Sequence, residues 1–332
     1  MSAAWVLGAG GLLGGSLVRE LRSQGTACFQ PAAPFTWREP VRLQTQLKQA
    51  VEDFAAHVAQ RDEMSCAASP TGADWEIWWA AGRGAMSSQT EELATETRAL
   101  ACVLEAISSS AILGARAGRL ALMSSAGAIY AGSASGVIDE HSPVAPTSPY
   151  AAAKLDQEAL VRDFVRKAPR HAGLVARCST LYGSGQTRDK PQGLLTFIAR
   201  SLMRNAPIPI FVPLDTMRDY LSADDAARMI VESLRTATHP GQTCVRIIAS
   251  ETPVTIAEII AIFQRVSRRR LRVVTSTSAV TGLYASRIRF RSRIRPVESM
   301  AANTPLAAGI ASLLHAERLA LARCQQQAPD GQ

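Results

Sequence analysis

Long hydrophobic runs are missing from this chain. No stretch approaches the ~20 uninterrupted apolar residues that a membrane-spanning helix needs, so no membrane partner is expected. The opening, Met1-Ser-Ala-Ala-Trp-Val-Leu-Gly8, lacks the basic region of a signal peptide and breaks at once into glycines, which points to a cytoplasmic protein. The six cysteines (Cys28, Cys66, Cys102, Cys178, Cys244, Cys324) form no Cys-x-x-Cys pair and have no histidine at ligand spacing. That pattern argues against a disulfide framework and against a metal site. Lysine is scarce, with only Lys48, Lys154, Lys167 and Lys190, so the net charge of +8 is nearly all arginine. A compositional habit accounts for the total, while single arginines can serve an anionic ligand through their planar forks. No nucleic-acid motif and no basic stripe interleaved with aromatics is present, and no nucleic-acid partner is expected.

What is present is the composition of a soluble globular protein, 47% hydrophobic and 19% charged over 332 residues. That length suits one large or two modest domains. In the first half, short apolar runs alternate with helical periodicity, the mark of a parallel sheet wrapped by helices. Strands are expected at Trp5–Leu7, Thr26–Gln30, Trp75–Ala80, Arg119–Ser124 and Gly173–Arg177. Helices are expected at Leu12–Ser23, Val41–Gln60, Glu91–Ser108 and Pro149–Lys167, and a surface loop at Met64–Ala73. Beyond Cys178 the pattern loosens. Helices are expected at Leu194–Arg204, Ala223–Thr236, Thr255–Arg268 (with a threonine cap) and Pro305–Cys324, and strands at Ile208–Val212, Cys244–Ala249 and Leu271–Thr275. There is no internal repeat and no Gly/Ser linker.

Two local signals carry chemistry. Gly8, Gly11 and Gly14 sit three apart between a strand and a helix, where backbone can approach a pyrophosphate and free helix N–H groups can receive it. The stricter Gly-x-Gly-x-x-Gly pattern, counted from Gly8 and Gly10, fails at Leu13. Tyr150 and Lys154, four apart early in a helix, share one face, and an adjacent ammonium favours the phenolate. That spacing is frequent by chance. Ser124 and Ser125 at the end of a strand give it context, because functional groups of parallel sheets gather there.

With these pieces the chain resembles the extended short-chain dehydrogenase/reductases, especially the nucleotide-sugar epimerases and dehydratases. The matching segments come in family order: the glycine turn, Trp79-Ala-Ala-Gly82, Met123-Ser-Ser125 with Tyr130, and Pro149-Tyr-Ala-Ala-Ala-Lys154. Then follow Arg177-Cys-Ser-Thr-Leu-Tyr-Gly183, Arg218-Asp-Tyr-Leu-Ser-Ala-Asp-Asp225 and Thr304-Pro-Leu-Ala-Ala-Gly309. The resemblance implies a Rossmann-type doubly wound parallel sheet over residues 1–178, with 214–249 returning to it. It implies a smaller substrate-binding domain from 179–213 and 250–325.

The resemblance also implies NAD or NADP, cradled by Gly8, Gly10, Gly11, Leu12, Leu13 and Gly14 and lined by Ala80, Ala81, Gly82, Ser124, Cys178 and Ser179. Tyr150 would be the acid/base, Lys154 would lower its pKa and hold the nicotinamide ribose, and Ser125 would hold the reacting oxygen. Thr180 would face the sugar, and Arg218 would bind the substrate's diphosphate. The implied activity is epimerase- or dehydratase-like, through a keto intermediate of a nucleotide sugar. An NADP-dependent reductase or dehydrogenase and a non-catalytic dinucleotide sensor are the alternatives, and a homodimer is a possible assembly.

Several positions depart from the family pattern. Ala126 stands four before Tyr130, so spacing to Tyr150 selects Ser125; Ala131 follows Tyr130; Glu96 falls near a usual asparagine and Thr180 at another. The third strand and its aspartate are not evident. No acid follows the second strand, which ends in Gln30-Pro31, and Arg38 beyond it suits a 2′-phosphate.

Overall fold

The computed structural model describes residues 2–64, 72–82, 84, 88–185, 193–275, 288–294 and 303–327. The loop expected at Met64–Ala73 falls outside the described residues over 65–71. Ala3–Leu7 and Trp75–Trp79 are buried at every position, because helices cover both faces of the sheet they enter. Glu76 is the polar exception in these runs. It is fully buried and gripped by Arg235 through Nε at 3.0 Å and Nη2 at 2.8 Å. Left unpaired, such a carboxylate would cost several kcal/mol, so the pair fastens the Ala223–Thr236 helix to the sheet.

The central sheet has six parallel strands in the order Thr243–Ile248, His171–Cys178, Gly118–Ser125, Trp75–Trp79, Ala3–Leu7, Cys28–Phe29. The chain winds outward in one direction from Ala3–Leu7 to Cys28–Phe29, and in the other from Trp75–Trp79 onward. That reversal opens a crevice beyond the strand ends between Ala3–Leu7 and Trp75–Trp79. Alternate side chains serve the two faces. Ala3, Trp5 and Leu7 join a core with the helices Pro40–Met64, Thr90–Ser109 and Pro149–Lys167. Ala4 and Val6 join one with Leu12–Ser23 and Ala223–Thr236. Leu17 and Leu21, four apart on the first helix, are fully buried; at ~1.5–3 kcal/mol each, they seat that helix and fix where its N-terminus points.

Among the described residues the sheet ends on Cys28–Phe29, and no further strand lies between it and Trp75. The intervening segment places Leu43, Leu47, Val51, Phe54 and Val58 in the core. That spacing is helical, and the result is the 25-residue helix Pro40–Met64.

A separate core joins Leu194–Met203, Ile256–Ser267 and Leu306–Gln327. Thr255 caps the second of these in a reciprocal box with Glu258, whose N–H donates to Thr255 Oγ1 at 3.1 Å while Thr255 N–H donates to Glu258 Oε2 at 2.6 Å. Short strand pairs lie outside the central sheet. Thr180–Tyr182 pairs with Tyr220–Ser222, Met217–Arg218 with Val254–Thr255, and Val137–Ile138 with Arg289–Phe290.

Candidate active site

The crevice begins at the glycine turn. Gly8 has φ +90°, and a Cβ there would lie 2.5 Å from the carbonyl oxygen of Ala80; a Cβ on Gly14 would lie 2.0 Å from that of Gly8. Both positions therefore require glycine, since the turn, the first helix and the loop after Trp79 touch backbone to backbone. Gly10 differs, because nothing lies within 4 Å of where its Cβ would be. The helix Leu12–Ser23 opens at Gly11 with no side-chain cap and no acid in its first turn. Its N–H groups and positive dipole end are thus kept for an anion. This cradle fits a dinucleotide pyrophosphate.

The loop after Trp79–Ala80 is held from below by Glu96, which is buried on the Thr90–Ser109 helix. Its Oε1 accepts from Gly84 N–H at 2.7 Å. Gly82 has φ +147°, and a Cβ there would meet Glu96 Oε2 at 2.9 Å. A Cβ on Gly84 would meet the Tyr150 ring at 3.3 Å, so the loop lies directly on that ring.

Tyr150 stands in the first turn of Pro149–Lys167, a helix started by Pro149 and capped by Ser148, whose Oγ accepts from Ala151 N–H at 3.2 Å. The Ser125 hydroxyl lies within hydrogen-bonding reach of the Tyr150 phenol. One turn on, Lys154 is buried, with Nζ 5.7 Å from the centre of the Tyr150 ring. Its ammonium donates to Met123 O at 3.3 Å and to Gln157 Oε1 at 3.0 Å. Burial pushes the Tyr150 phenol well above its ordinary value, the Glu96 carboxylate and then Cys178 push the same way, and Ser125 offsets part of the rise. Lys154, expected to lower the phenol, is not among the groups that set this shift, and the phenol keeps its proton at neutral pH.

Adjacent serines divide their work. Ser125 faces Tyr150, whereas the side chain of Ser124, expected to line the cofactor, donates to Glu158 Oε1 at 2.8 Å. Glu158 is also gripped by Arg177 through Nε at 2.9 Å and Nη2 at 2.6 Å, and Arg177 Nη1 reaches the Tyr130 hydroxyl at 2.5 Å. This buried network braces the ends of the strands Gly118–Ser125 and His171–Cys178. Tyr130 is thereby a structural residue.

Ser125, Ser179, Thr180, Arg218, Ile288 and Phe290 line a cavity of about 190 Å³. Ser179 is buried, and among the described residues its Oγ has no hydrogen-bond partner. Cys178 pairs in register with Ser125, and burial pushes its thiol up to about 12, with Lys154 pulling the other way. It is a packing residue and not a nucleophile.

Arg218 Nη1 donates to Met217 O at 2.8 Å. The neighbouring acids hold other partners. Asp219 accepts from Ser250 N–H at 2.8 Å and Oγ at 2.9 Å, Asp224 pairs with Arg19, and Asp225 accepts from Ser222 Oγ at 2.6 Å and Thr304 N–H at 2.9 Å. Arg38, expected near the adenosine end, is exposed on a turn before Pro40–Met64. Arg19 and Arg22 instead line a cavity of about 400 Å³ beside Gly10 and Gln30. Sequence reasoning also missed Ile288 and Phe290, although the alternation Ile288-Arg-Phe290-Arg-Ser292 carries a strand signal with its apolar side inward. Among the described residues no group of His, Cys, Asp or Glu is placed to hold a metal ion, and no helix is long and apolar enough to cross a membrane.

A doubly wound parallel sheet, a glycine cradle at its switch point and a Ser–Tyr–Lys cluster at its strand ends define a Rossmann-type nicotinamide enzyme. The NAD dependent epimerase/dehydratase family model matches residues 4–245, and the chain belongs to that family. A dTDP-glucose 4,6-dehydratase from Neisseria gonorrhoeae is 32% identical over 93 residues, 28% of this chain and 26% of the relative. The match thus spans about a quarter of that relative's length. Among solved structures, MoeE5 in complex with UDP-glucose and NAD is 19% identical with a TM-score of 0.73, covering 97% of this chain and 100% of the other. RMD from Pseudomonas aeruginosa complexed with NADPH is 17% identical with a TM-score of 0.71, covering 95% and 98%. The Thermus thermophilus UDP-glucose 4-epimerase complex with NAD is 17% identical with a TM-score of 0.72, covering 95% and 99%.

Proposed function

We propose that this chain interconverts a secondary alcohol and a ketone on a nucleotide-linked sugar, in the manner of an epimerase or dehydratase. The observation that carries the reading is the meeting of the Ser125 and Tyr150 hydroxyls beside Lys154, with Ser125 also lining the cavity of Thr180 and Arg218. The relatives supply the substrate class, since one is a dTDP-glucose dehydratase and another was solved with UDP-glucose.

In this reading Ser125 and Tyr150 both contact the reacting sugar oxygen, and Tyr150 moves its proton. A bound nicotinamide supplies the reversible hydride acceptance that makes the alcohol and the ketone interconvertible. The turn Gly8–Gly14 and the helix N-terminus hold its pyrophosphate, Ala80, Ala81 and Gly82 line it, and Cys178 and Ser179 flank it. Lys154 holds the ribose, exchanging its present carbonyl and amide acceptors for hydroxyls. Thr180 faces the sugar and Arg218 its diphosphate, as a guanidinium fork suits phosphate oxygens. The free Cys28, Cys102, Cys178 and Cys244 suit a cytoplasmic setting, and a homodimer is the assembly that goes with this reading.

Tyr150→Phe tests it. Loss of an acid/base is expected to lower turnover ~10²–10⁴-fold, with dinucleotide binding measured by calorimetry retained. A variant keeping more than about a tenth of wild-type kcat overturns the role of Tyr150.

A further inference from the structure

We propose that the dinucleotide this chain prefers is NADP(H), with Arg22 and Arg19 receiving the 2′-phosphate at the adenosine end of the crevice. The inference rests on the reading that the glycine cradle holds a nicotinamide dinucleotide, and it adds which one and by which residues.

Three observations meet at one cavity. Gly10, Gly15, Arg19, Arg22, Cys28 and Gln30 all line the space of about 400 Å³ beside the glycine turn and the end of the second strand. Gln30 occupies the place where a carboxylate would accept from the ribose 2′ and 3′ hydroxyls and repel a 2′-phosphate. A neutral amide does neither.

The second observation is the path of Arg19. Its Nη2 donates to Ser16 Oγ at 2.9 Å, and its Nη1 lies 3.6 Å from where a Cβ on Gly15 would be. The guanidinium therefore folds back toward the helix N-terminus, over a glycine that leaves room for it. The same Cβ position is 3.4 Å from Ala9 O, which places this group against the glycine turn itself.

The third observation is charge. Arg22, three residues on from Arg19, has no ion pair among the described residues. Arg19 has one acidic partner, Asp224, and that pair is exposed at both ends, 58% and 70%. An exposed pair of this kind contributes little and yields to a phosphate dianion. Two guanidiniums and, among the described residues that line the cavity, no carboxylate select an extra phosphate at a ribose.

Isothermal titration of the purified chain with NADP⁺ and with NAD⁺ tests this, alongside Arg22→Ala, Arg19→Ala and Gln30→Asp. Wild type is expected to bind NADP⁺ at least about tenfold more tightly, as one charge-assisted hydrogen bond supplies. The NADP⁺/NAD⁺ ratio should fall toward one in each arginine variant and invert in Gln30→Asp. Arg22 and Gln30 lie at the surface, and melting curves of each variant identify any loss of folding. Equal or tighter binding of NAD⁺ by wild type overturns the inference, as does an unchanged ratio in both folded arginine variants. If neither dinucleotide binds, the nicotinamide reading itself fails, a result separate from a failure of selectivity.

Discussion

Glu96 acts on both the backbone beside Tyr150 and the phenol itself. It props Gly82 and Gly84 and raises the Tyr150 phenol through its charge. Glu96→Gln keeps an oxygen for Gly84 N–H but removes that charge, so the phenol should ionise at lower pH. In the direction where Tyr150 accepts a proton, the rising limb of the kcat–pH profile is expected to move toward acid. A limb that stays in place, in a variant that melts like wild type, would show that Glu96 only supports the loop. The sequence marks Glu96 as a substitution in a known pattern, but its approach to Tyr150 depends on how two helices pack. Ser125 and Ser124 show the same limit. Spacing to Tyr150 selects Ser125, whereas the turn of Ser124 to Glu158 is decided by a buried pair far along the chain.

Elements with strong periodicity were legible within a few residues. Trp75–Trp79, Ala223–Thr236 and the Thr255-capped Ile256–Ser267 stand where apolar runs and caps place them. The pairs of two- and three-residue strands were not. Val137–Ile138 pairs with Arg289–Phe290 across half the chain, and so short a segment has no local signature apart from its partner. The terminal helix Leu306–Gln327 was expected, but the reason for its glycine was not. Gly309 receives the Tyr182 hydroxyl, and a Cβ there would lie 2.0 Å from that oxygen. Gly309→Ala gains ~1 kcal/mol of helix propensity, while overpacking a fixed aromatic costs ~1–3 kcal/mol. Tyr182 is almost fully buried and cannot swing away, so the clash wins. The melting temperature should fall, and a rise would show that the helix can shift off Tyr182.

At the scale of the whole molecule, buried phenols and a thiol bias stability against alkali. Burial pushes Tyr182 and Tyr220 up to about 12, each from 10.0, and Cys178 up to about 12 from 9.0. Burial also raises Tyr150, whose unperturbed value is 10.0. A raised value means the folded chain keeps the proton after the unfolded chain has lost it. The stability these protons confer is complete below the unfolded values and declines as pH climbs from about 9 toward 12. Each group removes ~1.4 kcal/mol per pH unit in its window, so together they remove several kcal/mol by pH 11. That is a large share of the ~5–15 kcal/mol typical of a folded protein.

The charge balance acts the other way. The sequence pI is near 9.5 because lysines and those thiols and phenols free to ionise titrate over the same range while the arginines stay charged, so net charge and its self-repulsion fall. Repulsion among exposed arginines is screened within ~10 Å in ordinary salt, whereas the buried hydroxyls and thiol are not screened, so the buried groups should dominate. The melting temperature is expected to hold up to about pH 9 and then drop steeply to pH 11, with little change on adding salt. Tyr220→Phe removes one of the titrating groups and should make the drop shallower. A melting temperature flat through pH 11, or a slope that Tyr220→Phe leaves unaltered, would mean that these phenols ionise in the folded protein as readily as in the unfolded chain.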